Sequence, residues 1–297
     1  MDRILLAPVS YGLGDLVVSL PAIQALVVEE SPVWLVARAP VQRLLAERIT
    51  GLAGVVDEAT LTISAGERLV DLRDHPLQRD FWWGSPAFTA QFGSLNINEI
   101  LERICVDLGI KADFTRPIPL RADPRLDLAR TVLLVHESDG ARKMWPTDRW
   151  EAVASLLRAE GHEVAQMTRG DGPSGLDGVD IPSVVAPTPG EAVDALSGCR
   201  AVIGIDTGLT HVAVQQGTPT VMVCRSSSVY VRHWPNFSVL RGADCTEPCI
   251  AAESSYAYNQ TVSLRDFRPA PLDCPSGSPC MTDAQPERAV TLLRYLL

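Results

Sequence analysis

The sequence predicts an α/β protein in which two Rossmann-like units, each a parallel sheet covered by helices, follow one another along the chain. Apolar runs of strand length alternate with helical patterns in both halves, which is typical of parallel sheets with helices on their faces. The chain has 297 residues, of which 46% are hydrophobic, and this suffices for two cores of about 150 residues each. We expect a cleft between the two units.

The N-terminal half begins with a predicted strand at residues 3–9, and a helix follows at 15–30. Pro21 is expected to kink this helix, because proline cannot donate a backbone hydrogen bond in a helix interior. Gly109 is the expected stop of the last helix of this half. The other predicted elements are strands at 33–37, 55–57 and 68–72 and helices at 41–48 and 98–108.

A polar connector with prolines at residues 121–130 separates the two halves. It predicts an N-terminal domain at residues 1–122 and a C-terminal domain at 130–297. The predicted elements of the second domain are strands at 131–136 and 163–167, helices at 148–160 and 190–196, a strand–turn–helix–strand unit at 202–223 and a closing helix at 286–297.

Composition excludes several classes of protein. The net charge of −10 argues against a nucleic-acid surface, which needs a basic patch, and against broad docking onto anionic lipid. No apolar run approaches the roughly 20 residues of a transmembrane segment, and the first 15 residues do not resemble a secretory signal. We therefore expect a cytoplasmic protein with reduced thiols.

The turn Asp206-Thr207-Gly208 joins a buried strand to a short helix, and His211 lies one helical turn later. In an α/β protein such a turn is a site for anionic ligands, because free backbone N–H groups and the positive end of the helix dipole meet there. This turn therefore predicts a site for a phosphorylated substrate, with the Thr207 hydroxyl, Gly208 and His211 close to the ligand.

A second turn of this kind, residues 9–15, follows the first strand and contains Gly12, Gly14 and Asp15. It lacks the third glycine of a dinucleotide site, since Val17 stands there, and the second strand ends without an acidic residue for a ribose. A nicotinamide or flavin enzyme is therefore disfavoured. Asp15 has two interpretations: a base that takes a proton from a substrate hydroxyl, or a helix cap.

Two adjacent cations, Arg142 and Lys143, precede Trp145-Pro146 at the start of a predicted helix. Cations beside a helix N-terminus suit a diphosphate leaving group, whose developing charge they would stabilise. The alternative is that both are solvated basic residues on a loop, with Trp145 as a core anchor.

Four of the seven cysteines cluster in a C-terminal region without regular periodicity. The spacing is loose for a zinc ribbon, but a structural zinc or iron ion would stabilise a segment with little core. The alternatives are reduced thiols or a disulfide formed on handling. The four candidate ligands are Cys245, Cys249, Cys274 and Cys280.

With these residues in hand, the sequence resembles glycosyltransferase family 9, the family of ADP-heptose:lipopolysaccharide heptosyltransferases. The resemblance extends over nearly the whole chain. Four stretches carry it: residues 14–23 (GDLVVSLPAI), 143–150 (KMWPTDRW), 206–211 (DTGLTH) and the cysteine-containing ending at 245–287.

The resemblance implies a GT-B fold, with the acceptor mainly in the N-terminal domain and a nucleotide-diphosphate sugar in the C-terminal one. It implies inverting transfer with no catalytic cofactor or metal, in which Asp15 deprotonates an acceptor hydroxyl. The best candidate for the donor is an ADP-heptose, and the acceptor is a glycan, a protein or a small molecule. We assign Arg142, Lys143, Asp206, Thr207, Gly208 and His211 to donor binding, and Gly12, Gly14, His75 and Arg79 to the acceptor side of the cleft.

Two loops depart from the family pattern: His136-Glu137-Ser138-Asp139 replaces a glycine-containing turn, and Arg225-Ser226-Ser227-Ser228 replaces another. Both follow strands at which a nucleotide-sugar would bind. They leave two alternatives open. One is a hexosyltransferase that uses a UDP-, GDP- or dTDP-sugar, and the other is an inactive homologue that binds a nucleotide-sugar.

Overall fold

A computed structural model describes residues 3–29, 32–75, 95–138, 143–170, 176, 178–225, 228, 230–244 and 279–297. Its strands are β1 (Ile4–Ala7), β2 (Val33–Ala37), β3 (Gly54–Asp57), β4 (Arg68–Asp71), β5 (Thr131–Val135), β6 (Glu163–Thr168), β7 (Ser183–Val185), β8 (Ala201–Ile205), β9 (Thr220–Val223) and β10 (Phe237–Leu240).

Nine α-helices lie within these residues: α1 (Leu13–Val18), α2 (Leu20–Glu29), α3 (Pro40–Ala46), α4 (Ile97–Asp107), α5 (Thr147–Ala159), α6 (Pro189–Gly198), α7 (Gly208–Gln215), α8 (Pro279–Thr282) and α9 (Pro286–Leu296). Two short 3₁₀ helices add to them at Glu58–Thr60 and Leu126–Leu128. None of the helices in the described ranges is long and apolar enough to cross a membrane.

The strands form two sheets in which every pairing is parallel. The first has the order β3-β2-β1-β4, and the second has the order β10-β9-β8-β5-β6-β7. The buried strands β1 and β8 contain no polar side chain, and β5 and β9 are apolar after an initial threonine, because both faces of a parallel sheet are covered by helices. The predicted α/β class with two Rossmann-like units is therefore confirmed.

The predicted helix at residues 15–30 is two helices that meet at Ser19. The Ser19 hydroxyl donates a hydrogen bond to the Asp15 carbonyl (2.7 Å), and the Val9 amide donates to Ser19 Oγ (3.4 Å). Pro21 is the second residue of the second helix, in the first turn, where its missing N–H needs no hydrogen-bond acceptor. The expected stop at Gly109 is also observed, with the glycine in the left-handed region at φ +73°.

The two sheets share one apolar core. It runs from β1 and β2 through α1, α6 and α7 to β5 and β6. Arg48, just after α3, reinforces this junction with two hydrogen bonds to the Asp194 carboxylate in α6 (3.0 and 2.8 Å). The residue just before the connector is fixed to the second unit as well, since the Leu120 backbone exchanges two hydrogen bonds with the Gln216 side chain. These contacts hold the two units in a defined arrangement.

Candidate active site

The two turns predicted from the sequence lie against each other at the N-termini of α1 and α7. A Cβ atom placed on Gly14 would stand 3.0 Å from His211 Cδ2 and 3.5 Å from the Gly208 Cα atom. Side chains at these positions would push the turns apart, so glycine is required on both sides of the contact. The close approach joins the carboxyl edges of the two sheets, where α/β proteins bind ligands.

Asp15, at the start of α1, accepts two hydrogen bonds from opposite sides of this junction. Its Oδ2 atom accepts from the Gly12 amide (2.9 Å), and its Oδ1 atom accepts from the Tyr230 hydroxyl (2.7 Å). Burial raises the pKa of Asp15, while the bonds from Tyr230 and Gly12 and the charge of Lys143 act in the opposite direction. Asp15 therefore caps its helix and also presents a carboxylate to the interface between the domains.

The turn before Asp15 is fixed by a buried glutamine. The Gln42 side chain donates hydrogen bonds to the carbonyls of Ser10 (2.8 Å) and Gly12 (3.0 Å). Arg38 donates to the Pro8 carbonyl (3.1 Å), and its guanidinium is paired with Asp71 (2.6 Å) and with Glu58. The backbone that carries Asp15 is thus held by groups of its own domain.

Asp206, at the end of β8, is the buried anion of the site. Its Oδ2 atom accepts a hydrogen bond from the Ser228 hydroxyl (3.0 Å) and lies 3.4 Å from Lys143 Nζ. Burial alone would raise the pKa of Asp206, but Lys143, His211 and Arg225 outweigh it and hold the pKa well below its usual range. Asp206 is therefore ionised, and it orients the Lys143 ammonium group.

His211 lies between Asp206 and Arg232. Arg232 Nη2 is 3.0 Å from His211 Nδ1, and His211 Nε2 is 3.0 Å from Asp206 Oδ1. A guanidinium group only donates, so Nδ1 accepts and the proton of the neutral ring sits on Nε2, which donates to Asp206. Burial lowers the pKa of His211 to about 4, which keeps the ring neutral at physiological pH.

Among the described residues, no side chain caps the first turn of α7. Thr207 precedes the helix, and its side chain makes no capping hydrogen bond. In α6, by contrast, the Thr188 hydroxyl accepts from the Glu191 amide. With Lys143 beside it, the uncapped turn of α7 is suited to an anionic group.

Of the other residues predicted to bind ligands, the structure describes His75 and Cys280. His75 is buried, with Nε2 3.5 Å from Asp107 Oδ2 in α4. Arg79 and Arg142 lie outside the described residues, as do Cys245, Cys249 and Cys274.

Cys280 is buried in α8. Within the described ranges, no group of three or more His, Cys, Asp or Glu residues could hold a metal ion. The zinc or iron site at the cysteine cluster stays a prediction.

Three residues of the site were not predicted from the sequence: Ser228, Tyr230 and Arg232. All three follow β9: Ser228 ends the loop at 225–228 that departs from the family pattern, and Tyr230 and Arg232 lie just beyond it. Polar side chains directly after a buried strand were the available signal, because the carboxyl ends of parallel strands share one edge of the sheet.

The loop after β5 contributes to packing. His136 is buried at the end of β5, and its ring meets the Trp150 ring edge-on at 6.2 Å. Trp145 is also buried: its ring packs on Trp150 at 5.0 Å, and its indole N–H donates to the Ala284 carbonyl (3.2 Å). Trp145 is the core anchor that the sequence suggested, and Lys143 is placed by the same loop.

Comparisons with known proteins point to one family. The model of the family "Glycosyltransferase family 9 (heptosyltransferase)" matches residues 183–241. That segment contains the turn at Asp206 and the loop with Tyr230. No curated protein sequence matches the chain.

Solved structures match over most of the chain. E. coli heptosyltransferase WaaC with ADP has a TM-score of 0.58 at 13% identity, covering 80% of this chain and 92% of WaaC. A glycosyl transferase family 9 protein from Veillonella parvula DSM 2008 has a TM-score of 0.65 at 13% identity, covering 99% and 97%.

The dodecameric iron-containing heptosyltransferase TibC of enterotoxigenic E. coli H10407, in complex with ADP-D-beta-D-heptose, has a TM-score of 0.62 at 14% identity, covering 100% and 77%. These matches, together with the family match at residues 183–241, confirm the predicted resemblance: the chain has the GT-B fold of the heptosyltransferases and contains a segment that is similar to glycosyltransferase family 9.

Proposed function

We propose that this protein is an inverting glycosyltransferase that transfers a sugar from a nucleoside-diphosphate donor to an acceptor hydroxyl, with heptose from an ADP-heptose as the donor sugar. One observation carries the proposal: the contact between the turns of Gly14 and Gly208 brings Asp15 together with Lys143 and the uncapped N-terminus of α7. A carboxylate base and an anion site then lie on the two sides of one junction.

The diphosphate is proposed to bind at Lys143 and the first turn of α7. Lys143 keeps about a third of its side chain exposed (30%), whereas Asp206 beneath it is buried. Asp206, itself held by Ser228 and His211, therefore positions the ammonium group without taking up the ligand's place. As the nucleoside diphosphate leaves, this ammonium group and the backbone amides stabilise the charge that develops on it.

Asp15 is proposed to act as the general base. The acceptor hydroxyl gives its proton to the carboxylate and attacks the anomeric carbon on the face opposite the departing diphosphate, which inverts the configuration. Each carboxylate oxygen of Asp15 accepts one hydrogen bond from the protein and retains lone-pair capacity for the acceptor. The raised pKa of Asp15 makes its carboxylate a stronger base than that of an ordinary aspartate.

Structures of two of the matched proteins support ADP-heptose as the donor. WaaC was solved with ADP and with ADP-2-deoxy-2-fluoro heptose, and TibC was solved with ADP-D-beta-D-heptose. The acceptor is proposed to be a glycan, a protein or a small molecule bound on the side of the first sheet.

Thermal stabilisation by ADP, UDP, GDP and dTDP tests the donor. A ligand that binds only the folded state raises the free energy of unfolding by RT ln(1 + [L]/Kd) and with it the melting temperature, and we expect ADP to raise it most. A preference for UDP, GDP or dTDP would favour a hexosyltransferase. Stabilisation by none of the four would contradict the proposed donor site.

A turnover assay tests the chemistry. ADP release from ADP-heptose is measured in the presence of a panel of acceptor glycans, proteins and small hydroxylic compounds, and the anomeric configuration of the product is read by NMR. Binding of ADP-heptose without turnover on any acceptor would favour an inactive nucleotide-sugar-binding homologue.

A further inference from the structure

Tyr230 is the one described residue of the second unit whose side chain hydrogen-bonds to Asp15. Its hydroxyl lies 2.7 Å from Asp15 Oδ1, and the two residues are 215 positions apart in the sequence. Because Asp15 belongs to the helix after β1 and Tyr230 to the loop between β9 and β10, this hydrogen bond exists only while the two units are in contact.

The loop holds Tyr230 in place through the donor side of the site. The Tyr230 amide donates to Ser228 Oγ (3.3 Å), and the Ser228 hydroxyl donates to Asp206 Oδ2 (3.0 Å). The Tyr230 ring packs against the His211 ring, with centroids 5.4 Å apart. The position of the Tyr230 hydroxyl is therefore coupled to Asp206, the residue that orients Lys143.

We propose that Tyr230 is a positioning residue for the base: it fixes one oxygen of Asp15 from the opposite domain, so that the carboxylate is set for reaction only when the two domains are together. The inference rests on the proposed function in taking Asp15 as the base. Tyr230 keeps its own proton, and the proton of the acceptor hydroxyl goes to a remaining lone pair of Asp15.

The charges around Asp15 are compatible with this role. Burial and the neighbouring Asp15 raise the pKa of Tyr230 well above its usual value, so that it stays a donor. Lys143 and Asp206 face Asp15 with opposite charges, while neutral His211 and the cationic Arg232 lie behind the Tyr230 ring. Loss of the hydroxyl leaves Asp15 with the Gly12 amide as its hydrogen-bond donor among the described residues.

Tyr230→Phe tests the proposal, with Tyr295→Phe as the control, because Tyr295 is exposed at the C-terminal helix (81%). We expect kcat to fall about tenfold to a hundredfold in Tyr230→Phe, the range for a lost hydrogen bond to a charged group. The KM for the donor stays near the wild-type value. The acidic limb of the kcat profile shifts to higher pH, since the lost bond had lowered the pKa of Asp15.

A readout without turnover separates this inference from the proposed function. The titration of the Asp15 carboxyl carbon, followed by ¹³C NMR and assigned with Asp15→Asn, should shift to higher pH in Tyr230→Phe and stay unchanged in Tyr295→Phe. A 3-fluorotyrosine at position 230 is nearly isosteric and a stronger hydrogen-bond donor, so it should shift the Asp15 titration to lower pH.

The outcomes are distinct. If neither substitution at position 230 moves the Asp15 titration, the positioning role is overturned, whatever the enzyme turns over. If both move it but Asp15→Asn retains full activity, the positioning of Asp15 stands and its assignment as the base fails.

Discussion

Gly208 lies so close to the opposite domain that a Cβ atom on it would stand 3.0 Å from the Gly14 backbone nitrogen and 2.7 Å from Leu13 Cβ. The obstacle on the Gly14 side is backbone, which cannot rotate away as a flexible side chain does. The distance between the two turns, and with it the distance between Asp15 and the α7 N-terminus, is therefore set by the absence of a single methyl group.

Gly208→Ala is expected to destabilise the protein by about 1–3 kcal/mol, the usual cost of overpacking, and to reduce transfer more strongly than donor binding. Gly190→Ala is the control, because its Cβ atom would meet the Arg48 guanidinium at 3.1 Å and so perturbs the Arg48–Asp194 pair between the two units without touching the candidate site. Denaturant unfolding and steady-state kinetics measure both effects. Wild-type stability in Gly208→Ala would show that the turns separate freely.

The sequence was a good guide to the parallel strands and to the two turns, because buried apolar runs and glycine-containing βα turns leave local patterns. It did not predict β7 or β10. β7 has three residues and β10 has four, and both are edge strands. Each also contains a serine (SVV and FSVL), so neither is a continuous apolar run, and pairing with a neighbouring strand defines them more than their own residues do.

Only part of the site was predicted, because only some of its residues belong to local sequence patterns. Asp15, Lys143 and Asp206 belong to recognisable local motifs, whereas Tyr230 and Arg232 acquire their roles from contacts across long sequence separations. Nothing in the local pattern Val231-Arg232 indicates that the guanidinium is buried against His211. Interactions that depend on the packing of two domains are not visible in sequence spacing.

Asp15→Asn should reduce kcat by about 10²–10⁴, the contribution expected of a general base, while donor affinity stays near wild type. Glu99→Gln is the matched control, since Glu99 occupies the same capping position in α4 and accepts from the Asn96 amide (2.7 Å). Both substitutions remove one carboxylate from a first helical turn. Equal losses of activity in the two variants would mean that Asp15 acts as a cap alone.

Lys143→Met should weaken binding of the nucleoside diphosphate by about tenfold or more, because a charge-assisted hydrogen bond to phosphate is lost. It also leaves Asp206 without its nearest cation. Lys111→Met, at an exposed position, controls for the change in net charge. Isothermal titration with ADP measures the difference. Unchanged affinity in Lys143→Met would show that the diphosphate does not bind at this lysine.

The stability of the protein should fall as the pH is lowered from 6.5 towards 4, in part through His211. Burial lowers the pKa of this ring from 6.5 to about 4, so the unfolded chain binds the proton in this interval and the folded chain does not. The loss from this group is on the order of 3 kcal/mol and ends near pH 4, where both states are protonated. Asp206 contributes in a lower interval, because its stabilising charge is lost only below the ordinary pKa of an aspartate.

Denaturant unfolding at several pH values between 4 and 7 isolates this contribution when His211→Asn is compared with wild type. The variant should be less stable at pH 7, since the bonds to Asp206 and Arg232 are disturbed, yet it should lose less stability on acidification. His233→Asn, at an exposed position, is the control and should retain the wild-type slope. If His211→Asn keeps that slope too, the ring is not held neutral between Asp206 and Arg232, and Asp206 is not oriented by it.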